Sequence, residues 1–220
     1  MPPIRFWSRS VAAVLAGTCI AMGSVLAAGD TQPEEVDTAL VISVDVSNSV
    51  DEHRYNLQME GIASALEDPE VMEAILNGPQ GGIAVSMITW ADKPRIAIPW
   101  IKIKSKEEAS QVAARIRALP RHTGEFTCVT TMLRNVADKV VTQIPFKPYR
   151  VVVDVSGDGA DNCNADEPIK AVHDELVDSG VTINGLPILE GPEKDSLEAW
   201  YTEHVKGGPS GFVLPANGFG

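Results

Sequence analysis

Aromatic side chains make up only 5% of this 220-residue chain, and it has four histidines and three cysteines. So few aromatic faces leave little for a platform that stacks bases or sugar rings. Basic residues are scarce too: 18 Lys and Arg stand against 30 Asp and Glu, a formal net charge of −12. That sign argues against nucleic acid and anionic lipid as partners, because both select basic patches that release counterions. Neither a CxxC pair nor an HExxH motif occurs, so the usual zinc frameworks are missing, as is a GxxxxGK[ST] phosphate cradle. Ser210 in "GGPSG" is not a nucleophile elbow, since Phe212 stands where the second glycine belongs. Residues 154–165 begin like an EF-hand loop, but position twelve is Ala165 instead of a bidentate Glu, and strand-like "VVV" precedes them. Internal repeats and low-complexity stretches are also absent.

What is present suits a globular domain. Hydrophobic residues reach 44% and charged ones 22%, enough to bury a core. Residues 1–28 read as a signal peptide: Arg5 and Arg9 supply the positive end, residues 11–26 the apolar run, and Ala27 and Ala28 the small-residue cleavage region. No second apolar run follows, so no stable membrane anchor is expected after cleavage, and the expected location is the bacterial periplasm or the exterior. Loss of Cys19 with the leader leaves Cys128 and Cys163, which form either one bridge or two separate thiols.

Residues 39–45 (ALVISVD) form an apolar, β-branched run suited to a strand buried on both faces. Tyr55, Met59, Ile62 and Leu66 then recur at helical spacing. Residues 82–89 make a second buried strand. A short turn at 91–94 makes residues 95–103, with two prolines, an antiparallel edge strand. Helical stripes follow at Ala109, Val112, Ile116 and Leu119, and at Val129, Leu133, Val136 and Val140. Residues 149–155 make a third buried strand, 167–179 a helix, 181–189 a strand, 197–205 a helix and 212–214 a last short strand. The alternation predicts an α/β fold: a doubly wound, mostly parallel central sheet with one antiparallel edge strand and helices on both faces. Binding sites in such sheets lie outside the carboxyl ends of the strands.

At the end of the first strand stands Asp45-Val46-Ser47-Asn48-Ser49, a carboxylate and two hydroxyls on alternate residues. Thr127 lies in a loop before a helix, and Asp158 follows the third buried strand in "SGDG". Each residue alone is an ordinary turn former or helix cap. Together, DxSxS, the threonine and the Asp-Gly resemble the von Willebrand factor A-type domain, the integrin inserted-domain fold with a metal-ion-dependent adhesion site. "IPW" at residues 98–100, "DVSGDG" at 154–159 and "GGP" at 207–209 narrow the resemblance to uncharacterised secreted bacterial proteins with this domain. It covers residues 38–215, within a domain assigned to 38–220.

The resemblance implies that Asp45, Ser47, Ser49, Thr127 and Asp158 bind a divalent metal. Mg²⁺ or Mn²⁺ fits, because a hard ion takes about six oxygens in near-octahedral order. It also implies a protein partner whose Glu or Asp completes the coordination. If the loops converge on one ion, Cys128 and Cys163 become neighbours and a disulfide between them is expected. Two alternatives use the same fold: a hydrolase in which the metal activates water, which lacks a convincing general base, and a metal-free scaffold. His122 borders the expected site and is the histidine to watch. The resembled domain carries a final helix after its last strand; residues 215–220 do not supply one, so either the sequence is cut short there or the domain lacks that helix.

Overall fold

The computed structural model describes residues 32–219. The signal-peptide reading, with Arg5, Arg9 and Cys19, lies outside them. Five strands form one sheet in the order β3-β2-β1-β4-β5. They are β1 (Glu35–Asp45), β2 (Ile83–Trp90), β3 (Arg95–Ile103), β4 (Lys147–Gly157) and β5 (Val181–Pro187). β1 runs parallel to β2 and β4, β4 is parallel to β5, and only β3 is antiparallel, pairing with β2 at the edge as its prolines and hairpin turn require. All eight residues of β2 are buried, as expected of a strand covered on both faces.

Six helices pack on the two faces. α1 (Glu52–Glu67) starts at Asp51, whose carboxylate accepts from the Arg54 amide. α2 (Pro69–Leu76) follows at once behind the Asp68 cap, and α3 (Lys106–Arg117) starts where Ser105 accepts from Glu108 N. Their buried faces, among them Tyr55, Met59, Met72, Val112 and Ile116, meet Val85, Met87 and Ile103 of the sheet. On the opposite face lie α4 (Val129–Asn135), α5 (Ile169–Asp178) and α6 (Lys194–His204). There Leu133, Leu176, Leu197 and Tyr201 close over Val41, Ile88, Trp90, Val153 and Ile183. α4 continues through one wide turn (Val136–Val140) and a 3-10 turn (Val141–Gln143), which keeps both Val136 and Val140 buried.

Two expectations are corrected. Residues 69–76, unassigned in the sequence reading, form α2. Residues 212–214 are not a continuous strand: Val213 and Ala216 bridge to Gly185 and Ile188 in parallel, one at a time. An apolar cavity of about 440 Å³ lies between α1 and the sheet, lined by Leu40, Ile42, Leu57, Ile62, Leu186 and Phe219.

β1 is the switch point of the sheet. Its onward connection leads to β2 on one side, whereas β4 pairs with it on the other. The chain therefore parts at the carboxyl ends of β1 and β4, opening a crevice there.

Candidate metal centre

Asp45 is the last residue of β1, and the chain turns at once because its Oδ1 accepts from Ser47 N at 2.7 Å. That turn puts the Ser47 hydroxyl over the crevice, 3.1 Å from the Ser49 hydroxyl. Ser49 Oγ donates to Asp158 Oδ1 at 2.7 Å, and Thr127 Oγ1 lies 3.4 Å from Ser47 Oγ. All five residues singled out from the sequence thus meet in one connected group of oxygens.

Each loop is held by its neighbours. The Thr127 and Asp158 loops exchange hydrogen bonds: Thr127 N donates to Asn162 Oδ1 at 2.8 Å, and Asn162 N to Thr127 O at 3.1 Å. Thr130 Oγ1 adds a bond to Asp161 Oδ2 at 2.7 Å. Asp161 and Asn162 thereby staple the two loops. The disulfide Cys128–Cys163 joins the same loops, with Cα atoms 5.1 Å apart. Asp92 Oδ1 accepts from Phe126 N at 2.7 Å, and Glu193 Oε2 from Ala160 N at 2.8 Å.

Residues that the sequence did not point to complete the rim. Arg54, in the first turn of α1, donates to Ser49 O at 2.8 Å and pairs with Glu190 beyond β5. Arg121 donates to Val50 O. Two guanidiniums on successive carbonyls offset the acidity of the site. Helix-start position gives a weak signal for Arg54; Glu190 and Arg121 give none, since only the tertiary fold brings them here. His122 is exposed and forms no hydrogen bond to the cluster among the described residues.

Burial is graded. Asp45 is 0% exposed, Ser47 2% and Thr127 5%, whereas Ser49 is open to solvent and Asp158 is half-buried. Burial raises the Asp45 carboxyl to about 7; the Ser47 hydrogen bonds oppose that rise and the charge of Asp158 adds to it. Asp158 is also raised by burial, against the pull of the Ser49 hydroxyl and Arg54. Oδ2 of Asp45 is buried without a hydrogen-bond partner. The donors are three hydroxyls and two carboxylates, and no group of three or more His, Cys, Asp or Glu side chains suited to a metal occurs among the described residues. Such an all-oxygen set suits a hard dication.

The profile of a family described as "Protein of unknown function (DUF1194)" matches residues 35–220. No curated protein matches the chain. Among solved structures it is similar to proximal thread matrix protein 1 (PTMP1) of the mussel byssus, whose MIDAS motif is occupied by zinc in one crystal structure. That match has 20% identity and a TM-score of 0.61, and covers 85% of this chain and 45% of the mussel chain. A second crystal form matches with 21% identity and a TM-score of 0.60 over the same shares. The chain thus spans less than half the length of these proteins. The likeness establishes the von Willebrand factor A-type fold.

Proposed function

The chain belongs to the DUF1194 family, and from that premise and its site geometry we propose that it is a divalent-metal-dependent binding module. Asp45, Ser47, Ser49, Thr127 and Asp158 hold Mg²⁺ or Mn²⁺, and a Glu or Asp of a protein partner is the ligand. A dication bound there supplies an electrophilic position to which that carboxylate coordinates.

The observation that carries this reading is the convergence of Asp45, Ser47 and Ser49, Thr127, and Asp158, hydroxyl and carboxylate groups from three separate strand-end loops, in one hydrogen-bonded group. The graded burial leaves the Ser49 and Asp158 side open to a partner. Phe126, 48% exposed beside Thr127, offers that partner an apolar contact. The zinc-occupied motif of the mussel protein supports a divalent ion, and oxygen-only ligands favour the harder Mg²⁺ and Mn²⁺. Binding is favoured over hydrolysis because, among the described residues, no histidine hydrogen-bonds to the oxygen cluster to serve as a base for water. Among the described residues no helix is long and apolar enough to cross a membrane, and with the disulfide this is compatible with an extracellular or secreted protein. We place it in the bacterial periplasm or outside the cell.

The test is calorimetric titration of Mg²⁺ and Mn²⁺ into chelator-treated protein. Wild type should bind one ion and Ser47→Ala should bind at least tenfold more weakly; a wild type that takes up neither ion leaves the metal-free scaffold as the reading. Turnover of esters or phosphoesters by the loaded protein would move the assignment to a hydrolase.

A further inference from the structure

Behind the oxygen cluster, on the α4–α6 face of the sheet, Ser43 Oγ, Asp45 Oδ2, Trp90 Nε1 and Tyr201 Oη are buried with no hydrogen-bond partner among the described residues. Their placement is related. Ser43 and Asp45 alternate on β1 and share a face. Trp90 stands beside Asp45 in the parallel register of β1 and β2. Tyr201 comes from α6, fully buried.

Two glycines let Tyr201 reach this place. A Cβ on Gly185 of β5 would stand 2.9 Å from its Cδ1 atom. One on Gly157 of β4 would stand 2.7 Å from its hydroxyl and 3.0 Å from Asp45 Oδ2. The ring therefore lies across β5 and delivers its hydroxyl to the back of the carboxylate whose front faces the crevice. A tyrosine hydroxyl carries its proton at neutral pH and can donate. The hydroxyl and Oδ2 do not bond directly, and two further orphaned groups lie on the same face. Buried polar groups so arranged are commonly joined by an internal water with about 2–4 partners.

We propose that Tyr201 is the positioning residue of this site: through one buried water its hydroxyl donates to Asp45 Oδ2 and fixes the carboxylate for the ion. The inference rests on the metal-binding reading for its consequence, but the hydrogen bond itself does not require metal. Tyr201→Phe removes the hydroxyl and keeps the ring. The protein has three tyrosines, so the Raman difference between wild type and Tyr201→Phe isolates this phenol.

In metal-free protein the tyrosine doublet should report a hydrogen-bond donor, and Asp45→Asn should shift it. A non-donating phenol, or one indifferent to Asp45→Asn, overturns the proposal. In calorimetry, Mn²⁺ affinity should fall about tenfold in Tyr201→Phe while its melting curve stays close to wild type. An unchanged affinity overturns the positioning role. A wild type that binds no Mn²⁺ defeats the metal reading instead, and the Raman comparison still decides whether Tyr201 is tied to Asp45.

Discussion

At position 157 the side chain is a single hydrogen, and the back of the site depends on it. Gly157→Ala sets a methyl against both the Tyr201 hydroxyl and the Asp45 carboxylate, neither of which is at the end of a freely moving chain. The expected cost is about 1–3 kcal/mol, measured by urea unfolding. Gly61 supplies the contrast. It lies inside α1 with no atom within 4 Å of where its Cβ would be, so Gly61→Ala should stabilise by about 0.5–1 kcal/mol. Opposite signs at the two glycines separate steric need from helix propensity. The same comparison shows what sequence can convey about single residues. Asp45, Ser47 and Ser49 are legible because their alternation is local. Tyr201 looks like any aromatic on an amphipathic helix until β4 and β5 place glycines beneath it.

Between elements, α1 and α3 are clamped through Arg117, which pairs with Glu60 and Glu67. The guanidinium, helped by the Ser64 hydroxyl, holds the Glu60 carboxyl down at about 2, below its ordinary 4.5. The unfolded chain therefore takes up this proton first as pH falls. The clamp's contribution is complete above about pH 4.5 and disappears by about pH 2. Both side chains are solvent-exposed, so the effect is small. Glu60→Gln should lower the neutral plateau of a stability–pH profile slightly and flatten the acid limb in that window, so that the two profiles meet near pH 2; an equally steep limb would assign the acid loss elsewhere. The helices clamped here were readable from their stripes. α2 was not, because two turns with only Met72 and Ile75 buried give too little periodicity. Residues 212–216 misled in the other direction: Phe212-Val213-Leu214 has strand composition, yet Val213 and Ala216 form single bridges to Gly185 and Ile188 instead of a continuous ladder.

For the molecule as a whole, the Cys128–Cys163 bridge spans a sequence separation of 35 and joins the loops that carry Thr127 and Asp158. Constraining a loop of that size in the unfolded chain contributes about 3–4 kcal/mol. The Cys128→Ser, Cys163→Ser double variant should lose about that much in thermal or denaturant unfolding, and a loss below ~1 kcal/mol would mean that the exchanged Thr127–Asn162 bonds suffice. The bridge was anticipated by assuming that both loops meet one ion; the hydrogen bonds that bring them together could not be, since Asn162 and Asp161 read as ordinary loop residues. The mostly parallel sheet and the place of the crevice followed from strand and helix alternation, and the antiparallel edge from its short turn and prolines; the order of the strands did not, since alternation alone does not say on which side each strand is added.

The depth gradient of the oxygens has a kinetic corollary. On the proposed reading, with Asp45, Ser47 and Thr127 walled in and the Ser49 and Asp158 side uncovered, an ion held there would leave by that side, where a docked partner would stand. Departure is then ordered, partner first and cation second. Chelators should strip the free protein quickly yet act on the complex no faster than it comes apart.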